Sequence, residues 1–320
     1  MGKICGGILD RVGKTPLVQL NSYCLNMHVK PNVYAKLECE NPGGSMKIRA
    51  ALYIIEKAER RGKLGGHKAL VIEAAVYNTA VALAVVCAAK QYKLVIVMPD
   101  IKEKRDYSLL RAYGAQVVLT PGTQGMAGAG RMADEMCRRN PHAFRPRIYN
   151  NAAAPAAYRA VASEIWRDTE GQVDILVCGV GSGAAITGIG EALKRKKHSV
   201  QVVAVEAEET KQAAVTGKNR AEHGIFGINN GEMPPLLNAD IVDEIYPVSS
   251  ADAYSGCVSI AANDGVLAGI SSGAAVYAAV QLARIPENEN RMIVALLPDT
   301  GERYLSTGLF DCNDNYIVMQ

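Results

Sequence analysis

Several things are missing from this chain, and each absence narrows what it does. No uninterrupted apolar stretch reaches about eighteen residues, so no segment reads as a membrane span. The first residues carry no apolar h-region of a secretory signal. Eight cysteines stand singly, at 5, 24, 39, 87, 137, 178, 257 and 312, with no C-x-x-C or other paired spacing. That argues against a disulfide framework and for reduced, mostly buried thiols in a cytoplasmic protein, with Cys5 and Cys312 expected at the surface. Charge of one sign is also lacking. Net charge is +3, and the longest basic run, Lys194-Arg195-Lys196-Lys197, closes a predicted helix, where cations suit the macrodipole. No nucleic-acid partner is expected. No repeat, low-complexity tract or proline-rich linker marks a domain boundary.

What is present is alternation. Residues 69–73, 94–98, 115–119, 174–178, 201–205 and 292–297 are short apolar runs that predict buried strands. Between them the pattern predicts helices over 78–90, 102–113, 125–139 and 185–197. Such alternation indicates βαβ units and parallel sheets covered on both faces, an α/β fold in a chain of 320 residues. Ligands in these folds bind beyond the carboxyl ends of strands, where loops open into helix N-termini. The loops at 74–80 and 181–185 occupy that position.

One lysine stands out by its setting, Asn41-Pro42-Gly43-Gly44-Ser45-Met46-Lys47-Ile48-Arg49. A Gly-Gly-Ser turn delivers Lys47 to the head of an apolar, helix-patterned run. Most lysines are solvated surface charges. Burial, by contrast, disfavours the ammonium and leaves an amine able to attack a carbonyl, as a Schiff-base lysine requires.

The chain resembles the cysteine synthase and cystathionine β-synthase family, the fold type II pyridoxal-phosphate (PLP) enzymes. Gly13-Lys14-Thr15-Pro16-Leu17, Ala35-Lys36-Leu37-Glu38, the Lys47 segment, Gly179-Val180-Gly181-Ser182-Gly183, Gly269-Ile270-Ser271-Ser272-Gly273 and the stretch Leu297–Thr307 carry the resemblance, in the family's order. It implies two parallel-sheet αβα domains of the tryptophan synthase β-like architecture. A smaller mobile domain is expected at 41–145, and a larger PLP-binding domain from 1–40 plus 146–320. It implies a homodimer, no metal, and a bare catalytic core without an added regulatory domain.

The same resemblance makes Lys47 the cofactor lysine and Gly181, Ser182, Gly183, Ala184 and Ala185 the phosphate cradle. Backbone N–H groups at a helix N-terminus suit a phosphate, though many glycine loops merely turn a strand into a helix. Ala184 and Ala185 replace a glycine and a threonine of the family's Gly-Thr-Gly-Gly-Thr. An alanine at a position needing positive φ would cost about 1 kcal/mol, and the lost hydroxyl about 1.5–3 kcal/mol. Ser271 is implied to meet the pyridine nitrogen and Asn78 the ring's 3′-oxygen. Read without the resemblance, both residues could equally be helix caps.

The substrate side departs from the family. Where it reads Thr-Ser-Gly-Asn-Thr-Gly, this chain has Ala75-Val76-Tyr77-Asn78-Thr79-Ala80. Two hydroxyls that would hold an amino-acid carboxylate are gone, and a glycine is a tyrosine. Two such lost bonds predict handling weaker by about 10²- to 10⁴-fold. The family's glutamine aligns with Ile148 or Arg147, its Thr-Thr pair is Ala160-Val161, and Ile48 replaces the aspartate after the lysine. Gly227-Ile228-Asn229-Asn230-Gly231 departs from its Gly-Ile-Gly-Ala-Gly. The implied activity is β-elimination and replacement on an O-activated serine, with sulfide or another nucleophile, impaired or altered by these changes. The rival is a degenerate homologue that binds or senses a metabolite or a partner's C-terminal peptide. A third reading is an enzyme in which Tyr77 and Arg159 select a different amine.

Overall fold

The computed structural model describes residues 4–66, 69–100, 105–210, 223–228, 231 and 233–310. The chain divides into two compact units, Met1–Lys14 with Glu40–Val161, and Thr15–Cys39 with Ala162–Gln320. Each is built around its own sheet.

In the first unit, strands β3 (Leu70–Ala74), β4 (Lys93–Pro99) and β5 (Gln116–Thr120) pair in parallel in that order. A single parallel bridge adds Phe144 beside Val71, which brings the following residues to the carboxyl end of β3. Ile72, Val95 and Val97 pack on Ala129 and Ala133 of the Gly125–Arg139 helix. The Tyr77–Ala89 helix is apolar on every side and is buried accordingly. It packs on the Lys47–Arg60 helix.

The second unit holds a six-stranded sheet in the order β1-β2-β9-β6-β7-β8. Its strands are Leu17–Gln19, Val33–Leu37, Met292–Leu297, Val173–Gly179, Gln201–Ala207 and Glu244–Val248 respectively. All neighbours are parallel except β1, which runs antiparallel at one edge. The sequence pattern missed this edge, because a three-residue strand carries no period. The Ser250–Asp264 and Ile270–Ala283 helices cover one face, with Ala253, Cys257, Ala274 and Ala278 in the core beside Val177, Val203 and Ala295.

Lys36, from the second of the resemblance motifs, has a structural role. It lies on β2 with no solvent exposure. Its Nζ donates to the Thr15 carbonyl at 2.6 Å and pairs with Glu164 at 2.9 Å and Asp168 at 3.7 Å. A buried lysine requires such partners, and removing one would cost about 3–5 kcal/mol.

No helix among the described residues is long and apolar enough to cross a membrane.

Candidate functional site

Lys47 is presented by a turn that needs its two glycines. Gly43 and Gly44 take left-handed φ of +76° and +67°. A Cβ on Gly43 would press against Val85 Cγ2 of the Tyr77–Ala89 helix at 3.0 Å. The Gly44 N–H closes the turn on the Asn41 carbonyl at 2.8 Å, and Asn41 Oδ1 accepts from the Gly13 N–H at 2.8 Å. The helix starts at Lys47, with Met46 as its N-cap. Ser45, Met46 and Ile48 are buried, whereas Lys47 is only half-buried. One residue is about 100° of helix, which takes Lys47 off the inward face shared by Ile48, Ala51 and Ile55. Ile48, where the family has an aspartate, is a core residue.

The 74–79 loop continues from β3. The Ala75 N–H bonds the Val97 carbonyl at 3.2 Å, so Ala75 prolongs the sheet and is buried. Val76 is the N-cap of the Tyr77–Ala89 helix and Asn78 its second residue. Asn78 is therefore not the cap, and that bland reading falls. Tyr77 is 38% exposed at φ +49°. This left-handed backbone costs a bulky side chain about 1–2 kcal/mol. The tyrosine thus holds a backbone conformation that a glycine would favour. Thr79 is half-buried.

Ile148 is buried and opens the Ile148–Asn150 turn, which lies against the Lys47–Arg60 helix. Its N–H donates to Glu73 Oε2 at 3.1 Å. The first unit thus brings together the Lys47 helix, the Ala75–Thr79 loop and Ile148. Glu73, 3% exposed, escaped the sequence reading of the site. Burial pushes its carboxyl above the usual carboxylate range, against the pull of backbone N–H donors and Arg145. The available signal was a lone acid ending an apolar strand.

In the second unit, β6 runs into Val180-Gly181-Ser182-Gly183 and the Ala184–Lys196 helix. The left-handed position is Gly183, φ +84°, the N-cap. Ala184 already lies in the right-handed helix, so the expected alanine penalty does not arise. A Cβ on Gly183 would run into the Leu237 backbone, and one on Gly181 would meet the Gly227 carbonyl oxygen at 2.5 Å. The Leu236 N–H donates to the Ser182 carbonyl at 2.9 Å. Thr187 Oγ1 donates to the Leu236 carbonyl at 3.0 Å and accepts from the Asn238 N–H at 2.8 Å. Thr187, also absent from the sequence reading, ties the loop to this wall. Ser182 Oγ accepts from the Ala184 N–H at 3.5 Å, so that hydroxyl is turned toward its own loop.

Ser271 is buried at the second position of the Ile270–Ala283 helix, whose cap is Gly269, so Ser271 is not the cap either. A Cβ on Gly227 would lie 3.7 Å from Ser271 Oγ. The second unit thus gathers the glycine loop, Gly227 and Ser271, while Asn229 and Asn230 lie outside the described residues. These groups fit PLP. Residues 179–187 carry no acidic side chain, and their backbone amides at a helix N-terminus suit a phosphate dianion. The Ser271 hydroxyl suits an uncharged ring nitrogen.

A family model described as pyridoxal-phosphate dependent enzyme matches residues 8–299. The chain is 39% identical over 309 residues to the cysteine synthase of Staphylococcus aureus strain N315, covering 96% of this chain and 97% of that one. The crystal structure of cysteine synthase (OASS) from Entamoeba histolytica superposes with a TM-score of 0.91 at 37% identity, covering 98% of this chain and 93% of that one. That of O-ureido-L-serine synthase superposes with 0.90 at 36% identity, covering 98% of each.

Proposed function

The chain belongs to the pyridoxal-phosphate-dependent enzyme family, and on that premise we propose that it acts as a cysteine synthase-like protein. Its substrate is an amino acid with a leaving group on the β-carbon, such as an O-activated serine, and sulfide or another nucleophile replaces that group. The observation that carries this reading is the left-handed Gly43-Gly44 turn that sets Lys47 at the head of a helix.

Lys47 would hold the cofactor through Nζ, and once the substrate's amino group has displaced it, the freed amine would take the Cα proton. Gly181, Ser182, Gly183, Ala184 and Ala185 hold the phosphate, Asn78 meets the ring oxygen and Ser271 the ring nitrogen. PLP, when bound, draws electron density from Cα, so that the β-substituent can leave. A hydroxyl at 271, in place of a carboxylate, leaves the ring nitrogen largely unprotonated and tempers that withdrawal, which suits elimination. Ala75, Val76, Tyr77, Thr79 and Ile148 form the substrate side. With two hydroxyls fewer than the family pattern, it handles the carboxylate less well. The expected division at 41–145, a homodimer and a cytoplasmic location belong to the same reading.

A second reading is favoured by Tyr77, a strained, exposed ring in the loop that should admit substrate. In it the protein keeps PLP and binds or senses a metabolite or a partner's C-terminal peptide without turnover.

Purified protein should show the visible absorbance of enzyme-bound PLP, and Lys47→Ala should lose it. A colourless protein that takes up no added PLP overturns both readings. Under the first, O-acetyl-L-serine shifts the band and sulfide then releases cysteine. A shift without turnover selects the second. Sedimentation as a monomer at micromolar concentration removes the homodimer.

A further inference from the structure

The first unit contains a buried acid that the proposed chemistry does not use, and it bonds Ile148 on the substrate side and Ala74, from which the Ala75–Thr79 loop departs. Glu73 closes β3. Its Oε1 accepts from its own chain's next N–H, that of Ala74, at 2.9 Å, and its Oε2 accepts from the Ile148 N–H at 3.1 Å. The Arg147 N–H also supports the carboxylate. Two successive amides therefore converge on one anion, around a residue, Arg147, whose φ is +51°. Successive N–H groups beside a left-handed residue form a concave anion site. Here the anion is a side chain of the protein itself.

The sequence explains how the carboxylate reaches this nest. Phe144 pairs beside Val71, with Ile72 N–H to Phe144 O at 3.0 Å and Phe144 N–H to Leu70 O at 2.9 Å. Residues 145–148 are thereby delivered to the carboxyl end of β3, where Glu73 stands. Arg145 Nε lies 3.6 Å from Glu73 Oε1, and its guanidinium pairs with Asp134. Asp134 also pairs with Arg147 at 2.5 Å. Arg145 is thus the charged side chain acting on Glu73, Arg147 contributes only its backbone N–H, and the half-buried Cys137 thiol in turn feels the Glu73, Asp134, Arg145 and Arg147 charges.

We infer that Glu73 is a positioning residue, whose carboxylate clasps the carboxyl end of β3, where the Ala75–Thr79 loop departs, to the Arg147–Asn150 turn and so fixes where the two substrate walls begin. The clasp rests on the substrate-side assignment of Ala75–Thr79 and Ile148 proposed above. It explains how Arg147 stays left-handed, because its own N–H and that of Ile148 are tied to the buried carboxylate. It also supplies order at 147–148, where the family's glutamine aligns with Ile148 or Arg147. Order there comes from a buried carboxylate on the backbone rather than from a polar side chain at the surface of the site.

Glu73→Gln tests this in the PLP-loaded protein. An amide cannot accept from every N–H the carboxylate serves, so hydrogen exchange at the Ala74, Arg147 and Ile148 amides should speed up at least tenfold. Exchange in β4 and β5 should stay unchanged. PLP retention should match wild type, while the affinity for O-acetyl-L-serine, read from the PLP absorbance, should fall about tenfold. Glu73→Asp keeps the charge one methylene short. It should show the same pattern at smaller amplitude, and it serves if the glutamine variant does not fold. Unchanged exchange at 147 and 148, or a uniform rise across the whole unit, overturns the clasp. So does loosened exchange with unaltered O-acetyl-L-serine affinity. If wild type binds no O-acetyl-L-serine, the amino-acid reading falls, and the exchange pattern alone then decides the clasp.

Discussion

At Tyr77 a side chain and its backbone disagree. A glycine would relieve about 1–2 kcal/mol of left-handed strain but restore about 0.5–1 kcal/mol of unfolded-chain freedom. Tyr77→Gly is therefore expected to leave the urea midpoint nearly unmoved, or slightly raised, while opening the loop to O-acetyl-L-serine. Adding Val76→Ser should contribute more than adding Ala75→Thr, because the residue at 75 is buried with its N–H in the sheet. Titration of PLP absorbance with O-acetyl-L-serine ranks the three variants. Glu73 gives a second residue-scale expectation. Burial raises its folded carboxyl above the ordinary value, so the native state binds that proton more tightly than the unfolded chain. The contribution is favourable below the ordinary carboxylate value and is lost as pH rises through the raised one. Urea unfolding across that window should show wild type losing stability with rising pH relative to Glu73→Gln. The turn that presents Lys47 and the glycine loop between β6 and its helix were legible because turn chemistry lies in the sequence itself. Glu73, Arg145 and Thr187 were not, since their roles come from partners distant in the chain.

Among the elements, what was legible followed period and punctuation. The strands at 70–74, 93–99 and 201–207 and the helix Gly125–Arg139 lie within two residues of their sequence reading. The Lys36 charge hides β2 inside an otherwise apolar run, and β8 contains Pro247, which a strand tolerates at a sheet edge. The Ile270–Ala283 helix is apolar all round and shows no stripe. The helix expected from 102 is described from Arg105, and residues 101–104 lie outside the described residues. At this scale the glycine loop makes the clearest prediction. Gly183→Ala combines an unfavourable φ with a collision against the Leu237 backbone. It should lower PLP affinity at least tenfold in a fluorescence titration and leave the far-ultraviolet circular dichroism unchanged. Retained affinity would remove the loop from the cofactor's phosphate.

For the whole molecule, the thiols offer one reporter per unit. Cys5 is exposed, while Cys87 in the first unit and Cys257 in the second are buried, with burial pushing both thiols up to about 12. Alkylation of native protein should mark Cys5 within minutes and spare the other two. Peptide mapping across a urea series should then show the Cys87 and Cys257 transitions separately, each reporting the opening of its own unit. Early labelling of Cys257 in native protein would contradict the packing of the Ser250–Asp264 helix. Cys312 was expected at the surface and lies outside the described residues.

The strand order of the second unit also sets a timetable. β2 sits between β1 and β9, so Val33 must wait for Ile293 before its ladder closes. Every strand of the first unit's sheet, by contrast, has been translated once Thr120 has emerged. At about 5–20 residues per second, the ribosome leaves β2 with one open edge for many seconds, its apolar residues Val33, Ala35 and Leu37 still without their final partners. A nascent chain stalled before Met292 should therefore protect the β3–β5 sheet from protease while β2 stays cleavable and holds chaperone. Release past Leu297 should end both together.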